Sequence, residues 1–143
     1  MARVKLDYPD DVYVFSTRLE VRFDDINAGM HLGNDRLVSL VSEGRSRFLE
    51  HLGLSELGTP EQPGVIVADL AVTYRSEARL RDVLRFDLGV TDTTRYGGDV
   101  VCRIVRESDG VLVAVAKTGL VFFDYHGSKR PASAPEAFTA AAR

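Results

Sequence analysis

The sequence predicts an α+β domain, on three observations. An early stretch has apolar residues at period two, the next stretch has a period near 3.6, and four further period-two stretches follow, separated by turn signals. One strand, one long helix and four largely consecutive antiparallel strands allow a sheet to curl round a single helix.

The first strand is predicted over about Val12 to Phe23, where VYVFSTRLEVRF mostly alternates apolar with polar. From Asn34 the period changes. Leu37, Leu40, Val41, Gly44, Phe48 and Leu52 recur at steps of three and four, so a helix is expected to about Leu52, with Gly53 as its stop. After the turn-rich LGTPEQPG, the stretches VIVADLAVTY, DVLRFDLGVTDT, DVVCRIVRES and VLVAVAKTGLVFFDY read as strands. RYGGD and SDG separate the last three, and SDG is a short-hairpin signal. The terminal PASAPEAFTAAAR has the composition of a tail, expected to be loosely ordered from about residue 132.

A length of 143 residues with 45% hydrophobic content predicts one domain with a real core. The net charge of -3 argues against nucleic-acid binding through a broad basic face. Cys102 has no second cysteine to pair with, and in DVVCRIV it reads as a small buried hydrophobe rather than a catalytic thiol. No apolar run approaches the roughly 18 residues that span a bilayer, and MARVKLDYPD lacks the apolar middle of a signal peptide, so a cytoplasmic location is expected. His31, His51 and His126 show no metal-ligand spacing, so neither metal nor cofactor is expected.

Two features of the helix need a reason. Gly44 in mid-helix costs on the order of 1 kcal/mol relative to alanine, which predicts close packing of a neighbouring element. On the other face Asp35, Ser39, Ser42, Glu43 and Ser46 form a polar stripe. On a free helix the stripe would be solvated, with Glu43 and Arg47 as an ordinary i,i+4 pair, but a sheet wrapped round the helix is expected to leave little room for a solvent face. An enclosed carboxylate is costly unless something pairs or uses it, which makes Glu43 a candidate functional group.

The stretch VRFDDINAGMHLGNDRLVSLVSEGRSRFLEHLGL resembles the start of the hotdog-fold acyl-CoA thioesterases of the 4-hydroxybenzoyl-CoA thioesterase type, with the pattern V-R-[FY]-x-D-x-D-x-x-G-H-[VL]-x-N and then E-[AG]-R. AVTYRSEARLRDVLRFDLGV and AKTGLVFFDYHGSKRPASAP resemble later parts of the same family, so the likeness runs from about Val14 to Pro135. It implies a curved antiparallel sheet of about five strands wrapped round one long central helix. It also implies hydrolysis of an acyl-CoA thioester, with coenzyme A as part of the substrate. Partners implied are further copies of the chain, as dimers or dimers of dimers joined sheet edge to sheet edge, with sites at the interface.

Residue by residue, Asp25 takes the place of the family's first aspartate, but the second, usually the catalytic carboxylate, is replaced by Asn27. Asparagine offers a carbonyl acceptor and two N–H donors but no proton to exchange near neutral pH, so it cannot be the base. His31 matches the family histidine, and Gly33 and Asn34 fall at the helix start, where free backbone amides suit a polarised thioester oxygen. Some hotdog thioesterases carry their carboxylate about two helical turns beyond that amide, the position of Glu43. The expectation is therefore that Glu43 activates water or attacks directly, with Asp35 as reserve base. Asn27 and His31 position water and thioester, and Gly33 with Asn34 binds the carbonyl. Arg75, Arg79, Arg81, Arg95, Lys117, Lys129 and Arg130 are candidates for the coenzyme's phosphates.

Two alternatives stand beside this reading. DINAGMH is close to the D-x-N-x-x-H pattern of hotdog enoyl-CoA hydratases, but one residue too many separates Asn27 from His31, and Ala28 stands where that pattern has proline. The other alternative is a non-catalytic acyl-CoA binding module that lost its chemistry with the aspartate at position 27.

Overall fold

In the computed structural model, which describes residues 3–143, strand alternation decides what is buried. Five strands form one antiparallel sheet: β1 (Phe15–Glu20), β2 (Gly64–Tyr74), β3 (Val83–Thr94), β4 (Gly97–Arg106) and β5 (Leu112–Phe123). Their spatial order is β1-β3-β4-β5-β2. Leu84, Phe86, Leu88 and Val90 of β3, with Val100, Cys102 and Ile104 of β4, project to one face. Helix α1 (Asn34–His51) lays Leu37, Val41, Phe48 and Leu49 into the same core. Phe48 and Leu49 are fully buried, each worth roughly 1.5–3 kcal/mol of transfer free energy. Cys102 lies within this core, and burial pushes its thiol pKa far up, so it stays protonated and inert.

Helix α1 stops where the sequence predicts. Gly53 takes φ 78°, its N–H bonds to the Glu50 carbonyl at 2.9 Å and the Leu54 N–H to that of Leu49 at 2.8 Å, a Schellman closure. Both predicted breaks also lie at turns: Thr94 pairs with Gly97 between β3 and β4, and Gly110 takes φ 74° between β4 and β5.

Three expectations are corrected. β1 is shorter than Val12–Phe23, because single 3₁₀ turns over Asp10–Val12 and Phe23–Asp25 close both ends. The Val12 carbonyl stands where a side chain at Gly89 would be, so the incoming chain crosses the sheet's outer face before joining it. The C-terminal segment is docked rather than loose. It forms α2 (Glu136–Ala140), whose fully buried Phe138 packs edge-to-face on Phe122 at 5.0 Å between ring centres. Finally, the sheet covers one side of α1 only, and the polar stripe stays accessible, the Glu43 side chain being 51% exposed.

Gly44 does pack against the sheet. A methyl group there would meet Phe86 Cδ2 at 3.5 Å and Leu88 Cδ1 at 3.7 Å, which is ordinary contact rather than a clash. Among the described residues, no helix is long and apolar enough to cross a membrane.

Candidate active site

The loop between β1 and α1 is built by its own polar side chains. Asp25 is 1% exposed and accepts from the Arg22 backbone N–H at 2.8 Å and from its Nε and Nη2 at 3.1 and 3.0 Å. These bonds from Arg22 hold its carboxyl below the usual carboxylate range. Its main-chain carbonyl accepts the Gly33 N–H at 3.0 Å, so the first family aspartate anchors the loop to the helix start.

Asn27 also shapes the loop. Its Oδ1 accepts the N–H of Gly29 at 3.0 Å and of His31 at 3.3 Å, an Asx turn that spends the side-chain carbonyl and leaves the amide N–H groups free. The turn forces Met30 to φ 65°, a left-handed conformation that favours glycine, and the family pattern has glycine there.

At the start of α1 the first helical bond runs from the Leu37 N–H to the Gly33 carbonyl at 2.9 Å, and no side chain caps the end. The N–H groups of Asn34, Asp35 and Arg36 therefore have no helical acceptor and sit at the positive end of an 18-residue dipole.

Of these three residues, Asn34 borders a cleft of about 350 Å3. The loop contributes Asn27, His31, Leu32 and Gly33, the helix Asn34 and Leu37, the end of β2 Tyr74, and the segment after it Arg75, Ser76, Glu77 and Ala78, with Val113 closing one wall. The two loops are zipped together: the Leu32 N–H donates to the Ala78 carbonyl at 2.8 Å, and His31 and Arg79 form an antiparallel bridge. Across this junction His31 Nε2 stands 3.1 Å from Glu77 Oε2. Glu77 is the one carboxylate lining the cleft.

Four of the six sequence candidates thus meet in one place: Asn27, His31, Gly33 and Asn34. Asp35 does not line the cleft. Its carboxylate leans back over the helix start, 2.8 Å from where a Cβ on Gly33 would stand. Glu43 lies nine residues beyond Asn34, about 13 Å along the axis. It borders a separate groove with Leu19, Glu20, Arg22, Ser39, Leu40 and Arg47. There Arg47 Nε donates to it at 2.8 Å, and Arg47 Nη1 also reaches Thr17 Oγ1 and the Arg18 carbonyl. A single chain therefore does not bring Glu43 to the Asn34 amide.

Sequence reasoning passed over Tyr74 and Glu77. The only signal was SEAR in the β2–β3 connection, and nothing local says that this turn lies beside residues 27–33. Of the candidate cations, Arg75 borders the cleft, held by Thr73 Oγ1 and the Leu6 carbonyl, and Arg79 Nη2 stands 3.5 Å from Glu77. Lys117 is taken up by Asp69 and Asp99. Among the described residues, no group of three or more His, Cys, Asp or Glu is placed to hold a metal ion.

The family model described as the Thioesterase-like superfamily matches residues 21–142. The chain belongs to the Thioesterase-like superfamily. That membership is broader than the 4-hydroxybenzoyl-CoA type. Among solved structures, this thioesterase-like chain is similar to a putative thioesterase from Pseudomonas aeruginosa, at 19% identity and TM-score 0.80, covering 91% of this chain and 97% of that one. It is also similar to a Staphylococcus aureus protein solved in complex with CoA, at 22% identity and TM-score 0.78, covering 88% and 79%. A third is the 1,4-dihydroxy-2-naphthoyl-CoA thioesterase from Synechocystis, at 15% identity and TM-score 0.75, covering 89% and 93%. At these identities the likeness shows the fold, the hotdog arrangement of curved sheet and single main helix. No curated protein matches.

Proposed function

We propose that this chain hydrolyses an acyl-CoA thioester to a free acid and coenzyme A, with no cofactor. The observation that carries the reading is the uncapped start of α1, whose first residue, Asn34, lines a cleft shared with Asn27 and His31. A thioester oxygen placed over the Asn34 amide receives a preorganised N–H donor where negative charge develops, a contribution of about 3 kcal/mol per donor in comparable sites. Asn27, its carbonyl engaged in the turn, offers an N–H to substrate rather than a base. Leu32, Leu37, Ala78 and Val113 supply the apolar wall for the acyl group.

The functional unit is a pair of chains joined along β2. This strand ends the sheet, its outer backbone edge has no strand partner among the described residues, and Ile66, Val67 and Leu70 are 39%, 46% and 42% exposed. An apolar edge 11 residues long invites antiparallel addition of a second β2. In such a pair, Glu43 reaches a cleft only if the second copy delivers it.

The test is release of free thiol from a panel of short, branched, aromatic and dicarboxylic acyl-CoAs by the wild-type protein. Turnover on at least one supports hydrolysis. A second reading, a non-catalytic acyl-CoA binder, is favoured by one observation: position 27 carries no carboxylate and its carbonyl is already used. Binding without turnover by the wild type, and turnover gained in Asn27→Asp, would select it.

A further inference from the structure

We infer that His31 and Glu77 act as a pair, Glu77 holding the imidazole so that its Nδ1 takes the proton of the attacking water. The inference rests on the hydrolysis reading above and supplies the proton acceptor that Asn27 cannot be. Glu77 is the one carboxylate and His31 the one imidazole lining the cleft. Their 3.1 Å approach uses Nε2, which leaves Nδ1 as the nitrogen able to carry a free electron pair.

The position of Glu77 is set by backbone rather than by chance. Its loop is tied to the histidine loop through the Ala78 carbonyl and the bridge between His31 and Arg79, and its own carbonyl accepts from Arg106 Nη1 at 2.6 Å. Arg79 flanks the same carboxylate oxygen at 3.5 Å. On the other side of the ring, the absent side chain of Gly29 leaves a notch. A Cβ there would stand 3.6 Å from His31 Nδ1 and 3.5 Å from Asn27 Oδ1, and because Gly29 is exposed, water has access to this nitrogen.

The step balances as follows. The water oxygen bonds to the thioester carbon while its proton passes to Nδ1, and the resulting oxyanion is held by the amide of Asn34. The C–S bond then breaks, and the leaving sulfur takes the proton back from Nδ1. Glu77 gains and loses nothing. It stabilises the transient imidazolium, which makes it a positioning residue.

The experiment measures kcat and KM for the wild type, His31→Gly, Glu77→Gln, Glu77→Asp and the double variant on the best acyl-CoA of the panel, with and without added imidazole. Thermal melting confirms that each variant is folded. His31→Gly and Glu77→Gln should each lower kcat by about 100-fold or more with KM within about threefold, and Glu77→Asp should recover part of the loss. Imidazole should restore turnover to His31→Gly and do so far less in the double variant, because the added base then lacks its partner. A folded Glu77→Gln that keeps kcat within about threefold overturns the pair while leaving hydrolysis standing. So does rescue by imidazole that is indifferent to Glu77. A wild type inert on every thioester overturns hydrolysis itself and the pair with it.

Discussion

The Tyr74 hydroxyl, at the end of β2, donates to the main-chain carbonyl of Asn34 at 3.1 Å and so joins the sheet's free edge to the first residue of α1. The contact spans 40 residues of sequence and sits on the rim of the cleft. Tyr74→Phe removes the donor and leaves a partly solvated carbonyl. It should lower stability by about 0.5–1 kcal/mol in a denaturant titration, while raising KM for the acyl-CoA more than it lowers kcat.

Much of the fold was legible because its signals are local. The period of Leu37 to Leu52, the Schellman glycine and the hairpin turns each lie within a few residues. What was not legible is set by distant contacts. The crossing of Val12 over Gly89 trims β1, and one aromatic ring, Phe138, docks a tail whose composition reads as loose. The site divides in the same way. Asn27, His31, Gly33 and Asn34 share one loop and could be grouped by spacing, whereas Glu77 reaches His31 only through the pairing of two loops. The distance of Glu43 from that loop follows from helix rise, but whether the sheet encloses its face depended on tertiary packing.

Asp25 ties acid stability to the active loop. Its carboxyl is held below the ordinary value by Arg22. Its stabilising contribution is therefore fully present above the unfolded value of about 3.9 and is lost as pH falls through the lower folded value. Asp25→Asn should cost about 2–3 kcal/mol at pH 7, since it breaks a pair on its buried side, and should flatten part of the stability loss below about pH 4. Urea titrations at pH 7, 4 and 3 check both statements.

Gly44→Ala should stabilise the protein. The helix gains about 1 kcal/mol in propensity, and the added methyl meets Phe86 and Leu88 at ordinary contact distances. A rise of a few degrees in melting temperature is the expected outcome, and a fall would mean that the helix and β3 cannot accept the extra volume.

Glu43→Gln should leave turnover within about threefold of the wild type, because the Glu43 carboxylate is engaged by Arg47 in a groove apart from the cleft. As an exposed i,i+4 pair it contributes about 0.3–0.5 kcal/mol, so melting should hardly change. A loss of 100-fold or more in kcat with the dimer intact would place the carboxylate of a second copy at the reacting carbonyl.

The most direct test of hydrolysis without a carboxylate at position 27 is free-thiol release by the wild-type protein across the acyl-CoA panel. Repeated turnover on at least one substrate, abolished by His31→Gly, is the expected result. The contradicting result is acyl-CoA binding with no thiol release from any substrate, together with turnover appearing in Asn27→Asp.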